Sequence, residues 1–182
     1  MNPRAVAIEI LLEVYTQQSH LDEAIAQQNI SELTAADLAL TKALSFGVCR
    51  FHWQLAAIAS KLLQKPFKSK DQDVWLIVLL GLYQLLHTRI PDHAAVAQTV
   101  AITKLRNKTW ATAVVNALLR RFQRERDVIL KSIESDPVAM SAHPQWLWIS
   151  STARLTSHNV ISPSQNKRRA ILRGPQAMLD RR

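Results

Sequence analysis

The sequence predicts an all-α protein, and three observations carry that expectation. Only three glycines (Gly47, Gly81 and Gly174) occur in 182 residues, alongside seven prolines, which leaves few tight turns for a many-stranded β architecture. Ala, Leu, Gln, Glu, Lys and Arg dominate, and all are good helix formers. The apolar residues recur at three- and four-residue spacing rather than alternating. A hydrophobic content of 48% argues against wholesale disorder, and the length suits one domain with a real core plus a tail.

The first helix is expected over 3–17. Val6, Ile10, Leu11 and Val14 turn inward there, and Glu9, Glu13 and Thr16 form the wet face. Pro3 suits the first turn, where its missing N–H costs nothing. A short helix over 21–28 follows the Ser19-His20 break. Thr34 is placed to cap a third helix, with Asp37 at the capping-box position. Helical character continues to Leu63 with a bend near Arg50 and Phe51. Leu40, Leu44 and Val48 make one stripe, and Leu55, Ile58 and Leu62 another.

Lys65-Pro66 ends that segment. Asp71 and Asp73 then stand where negative charge favours the N-terminus of the next helix, which runs to His87. Its apolar run, Val74 to Leu86, is interrupted by Gly81 and Gln84. It is shorter than the roughly 20 residues needed to span a bilayer, so it reads as a buried core helix and no membrane partner is expected.

Pro91 breaks the chain again, and Asp92 is the expected N-cap of a helix across Val96 to Leu105. Thr109 opens the last core helix. Val115, Leu118, Leu119 and Phe122 recur there at i, i+3, i+4 and i+7, while Asn116, Arg120 and Arg124 share the opposite side with Arg121 beside them. About seven helices make a compact bundle over residues 1–130. Residues 131–147 read as a linker and the start of a further element at HPQWL. Residues 148–182 read as a disordered tail, because Ser150 to Arg182 contains no aromatic residue and is rich in Ser, Asn, Gln, Lys and Arg.

Charge is distributed unevenly along this scaffold. Residues 65–126 hold 11 Lys and Arg against four Asp and Glu, a net of +7, whereas residues 1–64 carry a net of −2. Positive charge concentrated on a helical scaffold points to a polyanion, RNA or DNA before membrane. The expected RNA-facing residues, chosen on charge and helix face, are Lys65, Lys68, Lys70, Arg89, Lys104, Lys108, Arg120, Arg121 and Arg124. Arg106 adds to the same excess, and Arg4 and Arg50 are weaker members. Trp53, Trp75 and Trp110 sit among apolar neighbours, and core packing is expected for each in place of base stacking.

Enzymatic signatures are missing from the sequence. Three isolated glycines build neither a GxGxxG loop nor a P-loop, and there is no HExxH, GxSxG or paired Cys/His spacing for zinc. Cys49 is the only cysteine. This excludes an intrachain disulfide, fits a cytoplasmic location, and in its apolar helical setting gives it the role of a small buried hydrophobe. The six histidines are scattered, and His87 and His93, flanking TRIPD, suit capping or surface roles rather than metal ligation. No catalytic residue, metal or cofactor is expected in this chain.

Three longer blocks carry a family resemblance: GVCRFHWQL (Gly47 to Leu55), GLYQLLHTRIPDHAAVAQTV (Gly81 to Val100) and KTWATAVVNALLRRFQRE (Lys108 to Glu125). With the opening MNPRAVAIEILLEV and HPQWL, they resemble the N-terminal domain of the ribosomal RNA small subunit methyltransferase B family, also called the Sun or Fmu family. The resemblance covers about residues 1–147 and implies the all-helical fold of the antitermination factor NusB. It also implies an RNA-binding module that places a methyltransferase on 16S rRNA. A complete member of that family would transfer methyl from S-adenosylmethionine to C5 of a cytosine, through a Rossmann-like domain with two catalytic cysteines.

Cys49 matches neither of those cysteines. From Trp148 onward the family pattern stops, as a frameshift or truncation would produce, with a short isoform as the other explanation. The expected function is therefore an RNA-binding fragment without the catalytic domain. The alternatives are a stand-alone antitermination-type factor that binds RNA and a ribosomal protein, and a helical domain that binds protein rather than RNA.

Overall fold

A computed structural model of the chain describes residues 1–29 and 32–142, and every regular element among them is helical. The elements are α1 (Pro3–Gln17), α2 (Leu21–Gln27), α3 (Ala35–Arg50), α4 (His52–Leu62), a single 3-10 turn (Ser69–Asp71), α5 (Gln72–His87), α6 (Asp92–Leu105), α7 (Ala111–Ile133) and α8 (Pro137–Ser141). The expected all-α bundle is thus observed, with α8 beyond the seven anticipated helices. HPQWL and the segment expected to be disordered lie outside the described residues.

The helix ends follow local chemistry. Asn2 caps α1 by accepting the N–H groups of Arg4 and Ala5, and Pro3 occupies the first turn. Thr34 Oγ1 accepts the Asp37 N–H at 3.1 Å, as the spacing predicts. The bend near Arg50 is a full break between α3 and α4 at Phe51, whose φ/ψ of −99°/14° leave the helical region. Asp136 caps α8 through the N–H groups of Val138 and Ala139.

Two expectations about ends are corrected. Asp92 is the first residue of α6 and makes no side-chain cap; Pro91 precedes it as the capping residue. The Asp92 carboxylate instead accepts from Gln123 Nε2 at 3.4 Å, and the Thr88 hydroxyl closes the preceding loop by accepting the Ile90 N–H at 3.3 Å. Helix α7 starts at Ala111 because Thr109 and Trp110 are taken up by a tight turn, closed by the Ala111 N–H on the Lys108 carbonyl. That helix continues to Ile133 across a non-helical Glu125 (φ −109°, ψ 18°).

Helix α5 is the central element and packs against α1, α3, α4, α6 and α7. Its residues from Val74 to Leu82 are buried except for the half-buried Trp75. Each fully buried Leu, Ile or Val there contributes on the order of 1.5–3 kcal/mol, which outweighs any propensity effect in a helix this apolar. The stripes read from α3, α4 and α7 enter this core, with Leu44, Val48, Leu55, Ile58, Leu62, Val115, Leu118, Leu119 and Phe122 all buried. A smaller cluster of Val6, Ile10, Ala24 and Ile25 joins α1 to α2.

Glu13 departs from its expected wet position. It is only 8% exposed and accepts a hydrogen bond from Gln28 Nε2 at 3.3 Å, because α2 and the residues after it fold back over α1.

Candidate nucleic-acid interface

Buried acids decide which of the basic residues remain free. Asp71 and Asp73, at the N-terminus of α5, are 7% and 8% exposed. Leaving a buried carboxylate unpaired is costly, so such groups recruit cations. Lys108 Nζ donates to Asp71 Oδ1 at 2.9 Å and lies 3.6 Å from Asp73 Oδ1. Arg106 Nε donates to Asp73 Oδ2 at 3.4 Å, and its Nη1 pairs with Glu9. The bond to Asp71, more than the surrounding Coulomb field, raises the Lys108 pKa above its ordinary value. Two cations counted in the sequence excess, Arg106 and Lys108, therefore neutralise acids of the same fold.

Arg121 is held as well. Its Nε donates to Glu125 Oε2 at 2.9 Å, and its Nη1 reaches the carbonyl of Leu62 at 3.3 Å. That second bond fastens α7 to the C-terminus of α4, three residues before Lys65.

The remaining members of the sequence-derived set form no ion pair among the described residues. Lys65, Lys68 and Lys70 are exposed on the connection between α4 and α5. Arg120 and Arg124 are exposed on α7, Lys104 near the end of α6, and Arg89 between α5 and α6. Two contacts bring the elements that carry these charges together. The Arg121–Leu62 bond ties α7 to the end of α4, where the lysine-bearing connection begins, and Lys108 Nζ, 3.5 Å from the Lys70 carbonyl, sets the α6–α7 turn against that connection.

Arg89 stands apart, at the end of α5 two residues beyond His87. Arg4 turns inward, donating from Nε to Gln84 Oε1 at 2.8 Å, and burial lowers its pKa. Arg50 is exposed with its guanidinium 5.5 Å from the centre of the Phe51 ring.

The tryptophan expectation holds for Trp75, which packs half-buried against the core. Trp53 is half-buried and edge-on to His52, and Trp110 is 52% exposed. Trp110 belongs to the turn after Asn107, which adopts a left-handed φ of 56°, and the core begins only with the next residue, Ala111. His87 packs more than it caps: its ring stacks on Phe51 at 3.9 Å and its Nε2 lies 2.9 Å from Gln54 Oε1. Cys49 is half-buried, and burial pushes its thiol pKa up to about 11, the opposite of an activated nucleophile. No cluster of His, Cys, Asp and Glu among the described residues is arranged to hold a metal, and no described helix is long and apolar enough to cross a membrane.

Sequence reasoning missed the acids as charge sinks and missed Arg126 as a free cation beside His87. Two closely spaced aspartates inside a basic stretch were a readable signal for the first. The second depends on how α7 crosses α5 and left no local signature.

The structure defines an all-helical domain with exposed cations on α7 and on the α4–α5 connection that form no ion pair among the described residues. Residues 1–124 match the NusB family, and the chain belongs to that family.

Its similarity to ribosomal RNA small subunit methyltransferase B is closer still. The chain is 43% identical over 147 residues to that protein from Pseudomonas syringae pv. tomato and 44% identical over 147 residues to the one from Pseudomonas putida. It is 38% identical over 147 residues to the one from Pasteurella multocida. These matches cover 81% of this chain and 32–34% of each relative, so the chain spans about a third of the length of the curated relatives it matches.

Proposed function

We propose that this chain is the RNA-binding domain of a 16S rRNA (cytosine-C5) methyltransferase, acting in the cytoplasm, and that residues 1–182 bind RNA without themselves transferring a methyl group. The observation that carries this reading is the set of exposed cations left unpaired on a NusB-family fold. Arg120, Arg124, Lys65, Lys68 and Lys70 are all exposed and form no ion pair among the described residues. Phosphate neutralisation is the chemistry such a surface suits. The relatives are methyltransferases of small-subunit ribosomal RNA by name, and this supplies the substrate class.

In this reading S-adenosylmethionine belongs to the rest of a full-length relative and has no site among the residues described above. A stand-alone antitermination-type factor is the weaker reading. Similarity to the methyltransferases extends over 147 residues, whereas the family match ends at residue 124.

The test combines two measurements on the same samples: filter retention of unmodified 16S rRNA, and methyl transfer from labelled S-adenosylmethionine. Retention that falls steeply with salt, without incorporated label, is the expected result. Incorporated label would overturn the non-catalytic assignment, and salt-insensitive retention would overturn binding through phosphates.

A further inference from the structure

A second group of unpaired cations lies around the junction of α3 and α4, the end of α5 and Arg126 of α7. Phe51 stacks on His87 with ring centres 3.9 Å apart and an interplanar angle of 17°, and Tyr83 lies 6.2 Å from Phe51. The Arg50 guanidinium rests 5.5 Å from the Phe51 centroid, and the Arg126 guanidinium 6.0 Å from the centroid of Phe122. Arg126 is close enough to His87 to help lower its pKa, behind the larger effect of burial. Arg89 follows His87 by two residues and is exposed.

The way these arginines are held distinguishes them from Arg106, Lys108 and Arg121. The guanidinium groups of Arg50 and Arg126 lie over aromatic rings, and none of Arg50, Arg89 and Arg126 pairs with an acid among the described residues. A ring steadies a guanidinium without neutralising it, so its charge and its N–H donors remain for an outside anion.

The nearby acids form no ion pair with these arginines. Glu125 takes Arg121, Asp92 accepts from Gln123 Nε2 at 3.4 Å, and Asp127 is exposed and forms no ion pair within the described chain. The Thr88 hydroxyl donates to the Gln84 carbonyl at 2.7 Å and braces the loop that carries Arg89.

We propose that Arg50, Arg89 and Arg126, set around the Phe51–His87 stack, form a second RNA-backbone contact. A single strand leaving the α7–lysine surface would be held there through its phosphates. This rests on the RNA-binding reading above and extends it to a face that reading does not include. Planar, forked guanidinium donors match phosphate oxygens, and half-buried rings at the same place suit a strand whose bases are unpaired.

The test measures fluorescence anisotropy of a labelled single-stranded RNA oligonucleotide across a salt series, on the full chain. The variants are Arg50→Gln/Arg126→Gln, Arg89→Gln alone, and Arg120→Gln/Arg124→Gln. Loss of two phosphate contacts should reduce the slope of log K against log salt by about 1.4 and weaken binding about tenfold at low salt. Arg89→Gln, in an exposed loop, should remove about half of that slope change with an unchanged melting temperature. It keeps the test decisive if the double variant folds poorly.

Wild-type affinity and slope in both Arg50/Arg126 and Arg89 variants, with loss only in Arg120/Arg124, would overturn the second contact and leave the first intact. Polyglutamate competing as well as RNA for the wild type would overturn the assignment to RNA. No salt-dependent binding in any protein would overturn the parent reading, and this one with it.

Discussion

The ammonium of Lys108 lies 2.9 Å from Asp71 Oδ1 and 3.6 Å from Asp73 Oδ1, tying the α6–α7 turn to the N-terminus of α5. The pairing follows from burial, because both acids are buried and need a cation. Asp71→Ala and Lys108→Met should each lower the melting temperature, and the double variant should lose less than the sum, since each single change strands the other partner. Strict additivity in thermal melts would show that the pair is incidental.

Gly47 and Tyr83 are in closer contact than any side chain at position 47 allows. A methyl group there would meet Cζ, Oη and Cε2 of Tyr83 at 2.0–2.4 Å. Tyr83 also packs against Phe51, so it cannot swing aside without disturbing the α3–α4 junction. Gly47→Ala should cost about 1–3 kcal/mol by overpacking, even though alanine is worth up to about 1 kcal/mol over glycine in a helix interior. In a Tyr83→Ala background the same change should become neutral or stabilising in urea denaturation. A persisting penalty there would place the cause elsewhere.

His52 makes stability depend on acid pH. Its ring is 5% exposed, Nδ1 lies 2.9 Å from the Tyr15 hydroxyl, and burial lowers its pKa from the ordinary 6.5 to about 4. Between those values the unfolded chain binds a proton that the folded chain does not. Stability therefore falls as pH is lowered through that window, by roughly 2–3 kcal/mol between pH 7 and pH 4.5. His52→Gln should remove most of that dependence, read as the urea midpoint at the two pH values. An equal drop in the variant would assign the acid sensitivity to other groups.

Cys49 should resist thiol reagents until the protein unfolds. Its pKa of about 11 leaves a very small thiolate fraction at pH 8, and its surroundings limit access. Labelling by a disulfide reagent should be slow in buffer and fast in denaturant. Rapid labelling of the native chain would contradict the buried setting.

Reversing Arg120 and Arg124 to Glu should weaken RNA binding at least tenfold at low salt, with little change in fold, because both side chains are exposed on α7. Equilibrium filter binding with a circular-dichroism control measures both parts. Unchanged affinity would remove α7 from the interface.

Much of the fold was legible because the apolar stripes are long and regular. Leu55, Ile58 and Leu62 on α4, and Val115, Leu118, Leu119 and Phe122 on α7, are all buried where their spacing puts them. The N-cap at Thr34 was equally readable, since its chemistry lies within four residues. Glu13 was not, because what buries it is a chain segment folding back from beyond its own helix. Trp110 misled for the converse reason: apolar neighbours in sequence did not become neighbours in space.

The candidate site divides along the same line. By itself the sequence determined the helices, the core faces and the concentration of positive charge, all of which depend on residue type and short-range spacing. Only the tertiary structure decided which of those charges are free. It brought Asp71 and Asp73 to Lys108 and Arg106, and Leu62 to Arg121, and it set Arg50 and Arg126 on aromatic rings instead of carboxylates. Pairing falls off steeply with distance, so a cation's availability is a property of its packing partners and cannot be read from its place in the chain.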